Sequence, residues 1–147
     1  MIEIISCNTK ETFELGRKIG SLLKGGEIIL LSGDLGAGKT LIVKGIGSGL
    51  GINENTTVVS PTFTLVNFYE ARIGLVHVDL YRLDFDGIRH LGLEDYMDNK
   101  HVIVVEWADI SGGFFKGDIL RIRIEYLTVN SRKIFLDGNI IKEEDWR

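Results

Sequence analysis

The chain has 147 residues, close to the commonest domain size, so one compact domain over residues 1–147 is expected. Its hydrophobic content of 44 % and charged content of 26 % are those of a globular protein with an ordinary core. A net charge of −4 argues against direct, strong binding of nucleic acid, because a basic face supplies most of that affinity.

In chain order, residues 2–6 (Ile-Glu-Ile-Ile-Ser) read as a short strand. Asn8 followed by Glu11 resembles a capping box, and Leu15, Ile19, Leu22 and Leu23 then keep the 3–4 spacing of an amphipathic helix. Gly25–Gly26 stops it. Residues 27–32 form an aliphatic strand running straight into a glycine loop, and a second helix is expected from Thr40 to about Leu50. Gly45, Gly47 and Gly49 weaken that helix unless they serve close packing on the sheet, which is the preferred reading.

Strands are expected at 57–60, 63–69 and 75–80, with Pro61 and the segment 72–74 as punctuation. Short helical pieces should fill 86–99, and 102–106 reads as a buried strand. Residues 119–126 and 133–137 alternate like an antiparallel hairpin at the sheet edge, turning at 129–132. The whole pattern is a three-layer α/β fold of the P-loop NTPase-like kind, with a mixed, largely parallel central sheet and a C-terminal antiparallel hairpin.

Gly33-Asp34-Leu35-Gly36-Ala37-Gly38-Lys39-Thr40 fits G-x-x-x-x-G-K-[ST] at every fixed position. Glycines let the backbone curl so that its N–H groups point at phosphate oxygens, and the following helix offers its positive end. Lys39 can reach the β- and γ-phosphates, and the Thr40 hydroxyl can hold Mg²⁺. A chance match somewhere in such a chain has odds of about one in a hundred, and the strand before and helix after the loop reduce them further. Asn99-Lys100-His101-Val102 lacks the aspartate of a guanine-reading motif, so ATP is favoured over GTP.

Such a loop needs a carboxylate near magnesium and a group to orient water. Asp79 ends one apolar strand and Glu106 ends another, so both are candidates for magnesium and for catalysis beside Lys39. Asp79 suits outer magnesium coordination; Glu106 can touch the metal, polarise the water, or do both. Trp107 suits either base stacking or core packing, and Ser60-Pro61-Thr62 could sense the γ-phosphate. His77, His90 and His101 form no ligand set with a cysteine pair, so zinc is not expected.

These pieces resemble the bacterial TsaE family, small ATPases required for forming N6-threonylcarbamoyladenosine in tRNA. The resemblance runs from about Asn8 to Arg132. It rests on the glycine loop, on Ser60-Pro61-Thr62-Phe63-Thr64-Leu65-Val66, on His77-Val78-Asp79-Leu80-Tyr81-Arg82-Leu83, and on Glu106-Trp107. It implies an ATPase whose partners include TsaB and TsaD, whose hydrolysis resets their complex, and which meets tRNA only indirectly. By the same resemblance Lys39 grips phosphate, Thr40 and Glu106 hold magnesium, Asp79 takes the second acidic position, and residues 60–63 act as a switch. Cys7, Leu41, Thr62, Trp107 and Arg132 would border the nucleotide. The family often has proline after Glu-Trp where this chain has Ala108-Asp109, and often a second threonine where Leu41 stands.

The expectation is thus a magnesium-dependent ATPase, slow in isolation because only Arg82 and Arg132 offer themselves as arginine fingers. A small P-loop kinase, or a nucleotide-dependent regulatory module without turnover, are the rival readings. A single cysteine, Cys7, allows no internal disulfide, and aliphatic runs at 28–31 and 102–105 are too short for a bilayer. No basic-then-apolar leader opens the sequence, so a cytoplasmic protein away from membranes is expected. The sequence does not reveal the oligomeric state, and a monomer is favoured.

Overall fold

The computed structural model describes residues 1–34, 36–61, 65–81, 83, 85–107 and 113–146, with the side chains of Phe85 and Trp146 excepted. Its elements are β1 (Ile2–Ser6), α1 (Thr9–Leu22), β2 (Ile28–Gly33), α2 (Lys39–Leu50), β3 (Val66–Tyr69), β4 (Gly74–Asp79), α3 (Phe85–Arg89), β5 (His101–Glu106), β6 (Ile119–Tyr126) and β7 (Arg132–Asp137). Short 3-10 turns lie at Leu93–Tyr96 and Glu143–Trp146. Seven strands make one sheet in the order β1-β7-β6-β2-β5-β4-β3. The inner run β6-β2-β5-β4 is parallel, while β3, β7 and β1 join antiparallel. The protein is therefore α/β with a mixed, largely parallel sheet.

Strand alternation divides the core. Ile29, Leu31, Leu75, Val102, Val104, Leu120 and Ile122 face α1 and α2. Ile28, Leu30, Val76, Val78, Ile103 and Val105 face the opposite side, where Ile88 of α3, Leu93 and Phe115 cover them. No helix among the described residues is long and apolar enough to cross a membrane.

Helix α1 starts as its sequence dictates. Asn8 caps it by accepting the Glu11 N–H at 2.9 Å, while the Glu11 carboxylate reaches back to the Cys7 N–H at 2.6 Å. At its far end the Arg72 guanidinium donates to the carbonyls of Gly20 and Leu23, both at 3.3 Å, a cation at the negative end of the helix.

Four expectations are corrected. Gly45 and Gly49 serve helix-on-helix contact. A Cβ on Gly45 would lie 2.2 Å from the Phe13 carbonyl oxygen, and one on Gly49 would lie 2.2 Å from that of Arg17. Gly16 and Gly20 return the contact, facing Gly45 and Gly49 respectively. Only Gly47 matches the expected packing toward the sheet, near Ile52 and Leu75. Second, the β6–β7 hairpin is interior, because β1 pairs with the outer side of β7. Third, residues 57–60 form no strand; β3 side chains hold them instead. Val59 donates its N–H to the Tyr69 hydroxyl and accepts from Asn67 Nδ2, bonds that displace a backbone ladder. Fourth, β3 starts at Val66, after Leu65 at a φ of 69°, and the expected strand residues Phe63 and Thr64 lie outside the described residues.

The glycine contact predicts a contrast between two substitutions. Gly45→Ala drives a methyl into backbone that cannot yield, and should cost about 1–3 kcal/mol in a denaturant titration. Gly47→Ala meets the flexible tip of Ile52 and gains helix propensity, so it should stay within about 1 kcal/mol of the parent. Equal losses would refute the assignment of Gly45 to a backbone contact.

Candidate functional site

The glycine loop leaves β2 at Gly33 and enters α2 at Lys39. Gly38 caps α2 with φ of 110°, a left-handed conformation that side chains resist, and it offers no side-chain cap. The first N–H groups of a helix lack partners within it, so the start of α2 faces the cleft as a donor surface.

Lys39 is buried. Its Nζ donates to the Gly33 carbonyl at 2.8 Å and lies 4.4 Å from the centre of the Trp107 ring. Trp107 itself has φ of 61°, so the chain turns sharply straight after Glu106. Tyr81 packs on the far side of this group, its ring 4.9 Å from that of Trp107.

Asp79 and Glu106 end neighbouring parallel strands as register partners, and Leu31 of β2 stands level with Glu106 on the other side. Alternation turns both carboxylates toward the α2 face. Both are almost fully buried, at 4 % and 3 % exposure. With Lys39, Thr40, Leu41, Gly36, Gly38 and Trp107 they line one cleft of about 560 Å³. Asp79 accepts the Tyr81 N–H at 2.9 Å, which fixes the turn after β4.

The β6–β7 hairpin clasps the loop from behind. The Tyr126 hydroxyl donates to the Gly36 carbonyl and Arg132 Nε donates to the Ala37 carbonyl, each at 2.9 Å. The Arg132 guanidinium also lies 4.0 Å over the Tyr126 ring and donates to the carbonyls of Thr128, Val129 and Ser131. Arg132 thus shapes the loop, a placement that expecting it beside a ligand did not reveal. Gly33 and Asp34 face a second recess behind Lys39, with Arg123 and Glu125. Cys7 is exposed at the end of β1 and is not among the described residues lining the main cleft. Leu35, Thr62 and Arg82 lie outside the described residues.

Sequence reading missed His77. Its Nε2 is 2.7 Å from Glu106 Oε2, with both side chains buried. The signal was available: His77 stands two places before Asp79 in a strand, and period two puts both on one face. Tyr126 was missed as well, because a cross-sheet clasp leaves no local trace.

A family model described as threonylcarbamoyl adenosine biosynthesis protein TsaE matches residues 6–134. The chain belongs to the TsaE family. It is 46 % identical to the tRNA threonylcarbamoyladenosine biosynthesis protein TsaE of a Nostoc species over 74 % of this chain and 69 % of that protein. It is 40 % identical to the TsaE of Aquifex aeolicus, over 90 % and 92 % of the two chains. The crystal structure of Bacillus subtilis YdiB superposes with a TM-score of 0.78 at 30 % identity, covering 95 % of this chain and 86 % of that one. The family's role is in forming threonylcarbamoyladenosine in tRNA, and this TsaE-family chain shares that role.

The clasp should matter to loop rigidity. Arg132→Ala is expected to cost about 1–3 kcal/mol of stability and to speed amide hydrogen exchange at Ala37 and Gly38. Unchanged exchange there would mean that the loop holds its shape unaided.

Proposed function

We propose that this chain binds ATP with magnesium through a P-loop formed by residues 33–40 and hydrolyses it slowly, in support of threonylcarbamoyladenosine formation in tRNA. The observation that carries this reading is the convergence of Lys39, Thr40, Asp79 and Glu106 on one cleft at the start of α2. A phosphate chain has donors there in the helix N-terminus and the Lys39 amine. Two buried carboxylates and a hydroxyl beside them fit a magnesium ion, which takes only one or two carboxylates when substrate phosphates complete its shell.

In this scheme Lys39 would exchange its bond to the Gly33 carbonyl for phosphate oxygens, and Thr40 with Asp79, Glu106 or both would hold the metal. Bound magnesium would supply charge neutralisation at the β- and γ-oxygens. Glu106 would also polarise the attacking water, and Tyr81 and Trp107 line the cleft beside it.

Slow turnover in isolation follows from cation supply. Arg132 is committed to backbone carbonyls behind the loop. A transition-state arginine then has to come from another part of the site or from a partner, and the TsaB–TsaD complex is the proposed one. The chain's net charge of −4 favours contact with tRNA through those partners over direct binding.

Phosphate release from ATP, measured alone and with TsaB plus TsaD, tests the proposal. Partners should stimulate it, and Lys39→Ala or Glu106→Gln should each reduce it by about 100-fold or more. Partner-indifferent hydrolysis would remove TsaB–TsaD from the reading. Label transferred to an added acceptor in place of water would make the protein a kinase, and tight nucleotide binding without any turnover would make it a regulatory module.

A further inference from the structure

The pairing of β4 with β5 brings His77 to Glu106, and His77 has no place in the scheme above. It sits in the middle of β4, fully buried, with Nε2 at 2.7 Å from Glu106 Oε2. Its other ring nitrogen, Nδ1, is buried and has no hydrogen-bond partner among the described residues. A buried polar atom without a partner is costly, so its retention needs a reason.

The two ring nitrogens decide how the imidazole is used. A carboxylate oxygen only accepts, so the bond to Glu106 requires a hydrogen on Nε2. The arrangement therefore suits a ring that donates one hydrogen bond to Glu106 through Nε2. That bond ties up Oε2, fixes the plane of the carboxylate, and leaves Oε1 for whatever enters the cleft. The Glu106 side chain stands where its strand ends, with Trp107 turning away at φ of 61°.

We infer that His77 is a positioning residue, which orients the Glu106 carboxylate toward the magnesium of bound nucleotide. The inference rests on the proposed magnesium–nucleotide site and goes beyond it by naming the residue that sets its geometry. Outer partners of metal-binding carboxylates act in this way, and losing one commonly weakens metal binding by about 10–100-fold.

The test is the magnesium concentration needed for half-maximal binding of a fluorescent, hydrolysis-resistant ATP analogue, with folding followed by circular dichroism. His77→Gln places an amide N–H where Nε2 stands, and His77→Asn falls short of Glu106 with the same polarity. His77→Asn should raise the magnesium requirement about tenfold, and His77→Gln should recover it to within about threefold of the parent. On a Glu106→Gln background, where the charged carboxylate is gone, His77→Asn should add nothing. A parental magnesium requirement in a folded His77→Asn protein, equal loss in the Asn and Gln variants, or an undiminished effect on the Glu106→Gln background would each overturn the inference. Magnesium-independent binding by the parent protein would instead sink the site reading itself.

Discussion

Parallel pairing of β2 with β5, and of β5 with β4, is the constraint on which the rest of the cleft depends. The register puts Leu31, Glu106 and Asp79 in one row across three strands. β4 and β5 hand their chains to the loop region at this row, while β2 runs two residues further, to Gly33. The period of two sends both acids to the α2 side, where the helix start and Lys39 already lie. A slip of one residue in β4 would send Asp79 to the opposite face, among Val76 and Val78. Hydrophobic burial of the two strands on both faces blocks that slip, so core packing and site geometry share a cause.

The glycine loop is braced by its own bonds, Lys39 Nζ to the Gly33 carbonyl and the Ala37 N–H to the Asp34 carbonyl, and a further brace comes from outside it. The β6–β7 hairpin supplies that brace with the Tyr126 hydroxyl on Gly36 and the Arg132 guanidinium on Ala37. Pairing with β1 in turn keeps β7 in place, Ser6 standing opposite Arg132. A strand from the very start of the chain therefore steadies a loop more than thirty positions later.

Local signals were legible in the sequence where one segment carries the whole cause. The Asn8 cap, the strand–loop–helix passage from 28 to 50, and the apolar strands ending in Asp79 and Glu106 all came from short-range pattern. The hairpin itself was readable from alternation, but its interior position was not, since nothing in 119–137 says which strand will lie beyond it. The segment 57–60 had strand-like residues and lost its ladder to the side chains of Asn67 and Tyr69, a tertiary override of propensity. Gly45 and Gly49 looked like weaknesses in a helix because their purpose lies in another one. His77 is different: period two places it on the face of Asp79, but only the pairing of β4 with β5 brings Glu106 within its reach.

The contact between α1 and α2 has a consequence for how this sequence can drift. At most packed positions an enlarged residue can be accommodated if its neighbour shrinks. Here Gly16 faces Gly45 and Gly20 faces Gly49, and the atoms met are backbone on both sides. Neither partner has anything left to give up. Compensating pairs of changes are closed to these positions, so the two helices must diverge together around an unchanging seam, while the surfaces they turn outward remain free to vary.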